Sequence, residues 1–312
     1  MEIEAVKQTL RGPMIPVITH FKDDLSVNEE AIKEEVNYLI EHGIQKGKGV
    51  LLAVGAGGDF NMLSPDERKQ AARAIVDAAD GRAPVVVGAQ DTNVNVMIEM
   101  AQFAEDIGAY GIQFSTTYYY KPSDDDAIRL YKTIHEQTNK IAIMAYNTFW
   151  HDYDFPFEVL DELCELERLV ALKWARPNNG VPYMKGVDRY ADKLAVVDNA
   201  GMWVMNHMLG GTGFITHLAT IWPEHDLAVW ELLEAKKYKE AQEKIMKVNW
   251  PWQAFRGKMA GHTSGESPPV KAALELVGRH GGASRLPARA LNHNEREELR
   301  QLLLDIGVPD VQ

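Results

Sequence analysis

Short apolar runs alternate along the chain with longer segments whose apolar residues recur every three or four positions. The runs are PMIPVIT (13–19), GVLLAVG (49–55), APVVVGA (83–89), YGIQFST (110–116), IAIMAYN (141–147), LVALKWA (169–175), LAVVDN (194–199) and TGFITHL (212–218). Near-continuous apolarity of this kind marks parallel strands covered by helices, whereas a half-wet sheet would alternate apolar with polar. The segments between them carry helix signals. In NEEAIKEEVNYLIEHG, Ile32, Val36, Leu39 and Ile40 share one face and Gly43 is the stop. In SPDERKQAARAIVDAADG, Ser64 is the expected N-cap, Pro65 takes the first helical position and Glu67 closes a capping box. VNVMIEMAQFAEDIG again ends in a glycine, Gly108.

Eight strands in strict alternation with helices predict an α/β fold, a (β/α)8 TIM barrel. An open doubly wound sheet would alternate too, but no GxGxxG follows the first strand, so its dinucleotide-binding form has no fingerprint. After about residue 237 only helical signals remain. The expected organisation is a barrel over 1–236 and a C-terminal helical extension over 237–312 packed on it as one structural unit.

Composition narrows the partners. The 312 residues are 46% hydrophobic and 25% charged, with a formal net charge of −12. That balance argues against non-specific binding to nucleic acid or an anionic membrane. One cysteine, Cys164, cannot form an internal disulfide, which suits a reducing compartment. The start lacks an apolar signal core, and no run approaches the ~18 apolar residues expected of a membrane span. A soluble, cytoplasmic protein is therefore expected, with no nucleic-acid or membrane partner.

In such a barrel the chemistry sits at the carboxyl ends of the strands. Lys173 follows four apolar residues in LVALKW. Lysine is rarely buried without a reason, and desolvation would free its amine as a nucleophile toward carbonyls, which is Schiff-base chemistry. An exposed strand-end lysine or a structural ion pair is the plainer alternative. Tyr146 ends the preceding run, where its hydroxyl is expected to face the same cavity unless it is a core tyrosine. Tyr118, Tyr119 and Tyr120, followed by Lys121 and Pro122, are unusual for a loop and suit an anchor at a subunit contact. GAGGD (55–59) offers backbone N–H groups to a carboxylate or phosphate, although glycine-rich turns are common for conformational reasons alone. His20, His151, His207 and His217 show no tight ligand spacing, so no metal is assigned.

Taken in order, GAGGD…LSPDER, YYYKPS, YN, LKWA, GGTGFIT, PPVKAALELVG and SRLP give the chain a family likeness. It resembles the dihydrodipicolinate synthase/N-acetylneuraminate lyase family, (β/α)8 class I aldolases that form a Schiff base with a 2-keto acid. The resemblance implies that Lys173 forms the imine and Tyr146 relays protons, while Tyr119 reaches into a neighbouring subunit's site. It further implies that the amides of Gly57 and Gly58, next to Ala56, hold the substrate carboxylate and that the backbone at Ile215 lines the floor. No cofactor beyond the covalent imine is implied. The implied assembly is a homo-oligomer, a tetramer built as a dimer of dimers.

The chain departs from that pattern in two places. The synthase and lyase branches usually carry GTTGE or GSTGE, but both hydroxyl positions are empty here, at Ala56 and Gly57. The synthase branch also places an arginine a few residues after the strand-5 tyrosine, where YNTFWH puts His151. AVGAGGDF looks closer to the keto-deoxy-sugar-acid dehydratase and aldolase branch, except that Gly57 replaces its threonine. Arg176 is a candidate for substrate charge recognition, or for a surface ion pair. Phe149, Trp150, His151, Asp198, Asn199, Thr216 and His217 are the candidates for the distal pocket. The leading expectation is a Schiff-base aldolase or dehydratase acting on a 2-keto acid such as pyruvate or a keto-deoxy sugar acid. A metal-dependent aldolase, or a lapsed barrel that only binds a keto acid or a protein partner, is the alternative.

Overall fold

Eight parallel strands close into a barrel in sequential order in the computed structural model, which describes residues 2–148, 153–177 and 180–312. They are β1 (Gly12–Pro16), β2 (Val50–Ala53), β3 (Val85–Gly88), β4 (Gly111–Phe114), β5 (Ala142–Tyr146), β6 (Leu169–Trp174), β7 (Ala195–Asp198) and β8 (Gly213–Ile215). Each coincides with one of the apolar runs, with β1 beginning a residue early. Helices intervene between the strands, and a further set follows β8 as the C-terminal extension, so the fold is the expected (β/α)8 barrel. Among the described residues no helix is long and apolar enough to cross a membrane. The chain divides into two compact units that interleave along the sequence: Met1–Met14 with Gln45–Val50 and Gly81–Ile215, and Ile15–Ile44 with Leu51–Asp80 and Thr216–Gln312.

In the first unit, strand register decides which side chains meet. Tyr146 lies opposite Lys173, Lys173 opposite Val197, and Val197 opposite Gly213. One residue on, Trp174 pairs with Asp198 and Asp198 with Phe214. Side chains alternate between faces along a strand, so these two rows project to opposite sides of the sheet. Trp174 marks the helix side. Its indole Nε1 donates to the Tyr183 carbonyl at 3.0 Å, and the ring lies against Gly186 in the helix Val181–Tyr190. Lys173 and Tyr146 therefore share the barrel interior.

In the second unit the sequence signals for helix ends are met. Asn28 caps Glu29–Glu41 by accepting from the Ala31 amide, and Ser64 and Glu67 form the reciprocal capping box of Pro65–Ala79. The C-terminal helices Trp250–Thr263, Ser267–Leu276 and His293–Ile306 bury Trp252, Met259, Val270, Leu274, Leu299 and Leu303 in one cluster with Ile18 and Leu218. A feature absent from the periodicity is a π-helical turn over Ile245–Asn249. Pro251 follows at once, has no N–H to donate and crowds the carbonyl four residues back, and the wider turn accommodates it without breaking the helix.

Gly186→Ala is expected to destabilise the protein, because the new Cβ would lie 2.2 Å from Trp174 Cζ2. A loss of about 1–3 kcal/mol by urea denaturation fits such overpacking. Gly257→Ala, in open space on the helix Trp250–Thr263, is the matched control and should stabilise by up to about 1 kcal/mol.

Candidate active site

Lys173 Nζ lies over the Tyr146 ring, 4.2 Å from its centroid, and both residues are buried, Lys173 at 5% exposure. An ammonium against a π face is stabilised by the ring quadrupole, and more so when water is excluded. Tyr131 braces this pair from the helix side. Its phenol donates to the Phe114 carbonyl at 2.6 Å and accepts from the Tyr146 amide at 3.4 Å, which pins the end of β5.

The segment after β5 is tied to the end of β6. Asn147 donates to the Ala175 carbonyl and to Asp154, both at 2.7 Å, and accepts from the Phe155 amide. Asp154 in turn pairs with Arg176, whose guanidinium stacks over Trp174 and Phe157. Arg176 thus lies on the Trp174 side of the strand and ties two loops, as the ion-pair reading held. His151, Phe149 and Trp150 lie outside the described residues.

Asp198 does not join the lysine. It projects with Trp174, accepts from the Tyr183 phenol at 2.5 Å and from the Met202 amide at 3.1 Å, and so shapes the turn into the helix Trp203–Met208. Burial pushes its carboxyl up to about 6. Ile215, the last residue of β8, pairs in register with Met14 of β1. Tyr119 adopts a left-handed backbone (φ 89°) and is 88% exposed, with its ring edge-on to Tyr120 at 5.2 Å. A bulky residue there is a conformational outlier.

The second unit carries the glycine turn. Ala56–Gly58 form a 3-10 turn bracketed by two left-handed residues, Val54 (φ 44°) and Asp59 (φ 58°). Val54 is β-branched and buried, so the strain is real. Gly58 donates its amide to the Gly55 carbonyl, and its own carbonyl accepts from Thr19 Oγ1 at 2.7 Å. The Gly58 amide, expected to hold a carboxylate, is thus engaged within the turn. A Cβ on Gly58 would lie 2.8 Å from the Val17 carbonyl oxygen, and one on Gly57 would lie 2.8 Å from His217 Nε2. Only glycine permits both approaches.

Two supports of this turn carried no role in the sequence reading. Asp59, 1% exposed, accepts from Ser267 Oγ at 2.8 Å and Lys271 Nζ at 3.3 Å, so the helix Ser267–Leu276 grips the turn through its acid. Lys271 also donates to the Ala283 carbonyl. Burial raises the Asp59 carboxyl and lowers the Lys271 amine from their usual ranges, each opposed by the other's charge. His20 is likewise engaged, with Glu35 at 2.5 Å and the Gly281 carbonyl at 3.1 Å. Thr216, a substrate-binding candidate, instead donates to Asp226 at 2.6 Å and accepts from the Leu218 amide. Asn249 bridges Asp226 to His225 beneath it.

Comparison with known proteins gives a match to the dihydrodipicolinate synthetase family over residues 9–306. The 4-hydroxy-tetrahydrodipicolinate synthase of Clostridium novyi is 29% identical over 94% of this chain and 95% of its own. That of Methanococcus maripaludis is 27% identical over 96% and 99%. A dihydrodipicolinate synthase from Acinetobacter baumannii, solved in complex with pyruvate, superposes with a TM-score of 0.85 at 27% identity, covering 96% of this chain and all of that one.

Burial pushes the Asp226 carboxyl up to about 6 and the His225 imidazole down to about 4. The raised carboxyl contributes stability at low pH that is lost as pH rises through 6. The depressed imidazole contributes stability above about 6.5 that is lost as pH falls toward 4. The two oppose each other across this window. His225→Gln removes only the second, so on going from pH 6.5 to pH 4.5 its unfolding free energy should rise relative to wild type by about 2 kcal/mol in urea titrations.

Proposed function

The chain belongs to the dihydrodipicolinate synthetase family, and on that premise we propose that it cleaves or dehydrates a 2-keto acid through an imine on Lys173. The single observation that carries this reading is the buried Lys173 amine lying 4.2 Å from the centre of the Tyr146 ring inside the barrel.

The chemistry follows from the two groups. The neutral amine adds to the C2 carbonyl, and the carbonyl oxygen leaves as water with protons delivered by the Tyr146 phenol. The protonated imine then withdraws electrons from the neighbouring carbon. In cleavage the C4 hydroxyl gives up its proton, the C3–C4 bond breaks to release an aldehyde, and the enamine left on Lys173 takes a proton at C3 to return to the imine. In dehydration a proton is taken from C3 and the C4 hydroxyl leaves as water after gaining one, which leaves a conjugated imine. Water finally attacks the imine carbon and returns the amine. Tyr146 supplies and removes protons at the reacting atoms, an effect of roughly 10²–10⁴-fold.

The substrate carboxylate is assigned to the turn at Ala56 and Gly57. What supports this is the engagement of the Gly58 amide with Gly55 and the grip of Ser267 and Lys271 on Asp59. Tyr119 is assigned to a second copy of the chain in a homo-oligomer, supported by its strained backbone and its exposed ring. Pyruvate is the first probe, because a relative of the same fold has been solved with it. The empty hydroxyl positions at Ala56 and Gly57 argue against dihydrodipicolinate synthesis, and AVGAGGDF favours a keto-deoxy-sugar-acid enzyme in every position but Gly57.

Borohydride reduction in the presence of pyruvate should leave one covalent adduct, mapped by peptide mass to Lys173. Lys173→Ala should give none, and Tyr146→Phe should slow adduct formation by about 10²-fold or more. An adduct on Lys271 in place of Lys173, or no adduct with any of a panel of 2-keto acids, would overturn the reading.

A further inference from the structure

β5 stops at Tyr146, and the residue after it keeps hold of β6. The Asn147 amide donates to the Lys173 carbonyl at 3.0 Å, one more rung of the ladder. In a parallel ladder the next bond, to the Ala175 carbonyl, would come from the backbone two residues on. Here the Asn147 side chain makes it, with Nδ2 2.7 Å from that oxygen. Asn147 thus holds the carbonyls on both sides of Trp174, while the Asn199 amide, just past β7, takes the Trp174 carbonyl at 2.8 Å. The backbone at and after Lys173 is fixed from both neighbouring strands. The rest of the carboxamide is used as well. Nδ2 also donates to Asp154 at 2.7 Å, and Oδ1 accepts from the Phe155 amide at 2.9 Å. Asn147 is fully buried, so a partner that is lost is not replaced by solvent.

We propose that Asn147 is a positioning residue for the imine chemistry, acting through the backbone of β6 to hold the Lys173 amine over the Tyr146 ring. The assignment deepens the imine reading and rests on it. The amine ends a long, flexible side chain, so its place 4.2 Å from the ring centre is only as well defined as the peptide it springs from. Tyr146 directly precedes Asn147, so the proton-moving phenol and the strand bearing the nucleophile are referenced to one carboxamide. A displacement of about 1 Å at a reacting group can cost about 10²-fold in rate. Asn206 is a counterpart away from the lysine. It is 1% exposed, and its Nδ2 donates to the Val196 and Gly213 carbonyls at 3.2 and 3.0 Å, tying β7 to β8 in a similar manner.

The test follows imine formation on the full-length protein in excess cyanoborohydride, which reduces the imine as it forms, with pyruvate as the probe and the adduct located by peptide mass. Asn147→Ala is expected to lower the limiting trapping rate about tenfold to a hundredfold, with the half-saturating pyruvate concentration held within about twofold. Asn206→Ala removes a buried amide of the same kind and should shift the urea midpoint comparably, yet leave the limiting rate unchanged. Asp154→Ala frees the loop from Asn147 but spares the bond to Ala175, and should slow trapping by less than about threefold. Asn147→Ser is the second variant where Asn147→Ala does not fold, with the same fall expected. An equal loss of rate in the Asn206 or Asp154 variant, a rise in half-saturating pyruvate at unchanged limiting rate, or no change at all would overturn the assignment and leave the imine intact. Failure of the wild type to trap pyruvate at Lys173 would remove the imine reading and this assignment with it.

Discussion

An ammonium group inside a parallel barrel must find a partner, and strand register supplies it here. Tyr146 and Lys173 are opposite each other on neighbouring strands, so their side chains emerge on one face. The amine meets a π surface, which tolerates a cation yet leaves its lone pair accessible once the proton departs. Trp174, one position on, is held by the helix Val181–Tyr190 through its indole nitrogen and the bare Gly186. A slip of one residue would exchange the indole for the amine on every face, so the packing of a residue with no chemistry fixes the one that has it.

The second unit solves a different problem, which is to hold a strained, glycine-bearing turn still. Val54 and Asp59 both sit in left-handed conformations that cost free energy, and such positions persist only when their surroundings over-determine them. Thr19 on the Gly58 carbonyl, with Ser267 and Lys271 on Asp59, provides that determination. The C-terminal helix Ser267–Leu276 is thus part of what holds the turn in this unit, since the acid it grips belongs to the turn itself.

Much of this was legible in the chain because one-dimensional pattern and three-dimensional role coincide for strands covered on both faces. All eight strands, the Ser64 capping box and the buried lysine were readable for that reason. Face assignment at strand ends was less so. Asp198 is polar and terminal, as a ligand-binding residue would be, yet it points with Trp174 and organises amides. Thr216 and His217 differ by one position, and only the contacts with Asp226 and Gly57 tell them apart. Lys271 was invisible for another reason. A lysine on an amphipathic helix ordinarily reaches solvent, and its partner lies more than two hundred residues away.

The vacancy at Gly57 constrains how this sequence can drift. A larger residue there would overlap both His217 Nε2 and Pro16 Cβ, at 2.8 and 2.9 Å, so no single substitution can regain a hydroxyl without displacing its neighbours. The imidazole can swing aside, being the far end of its side chain, but the ring of Pro16 is fixed to the end of β1, so a side chain at this corner also needs the strand end to shift.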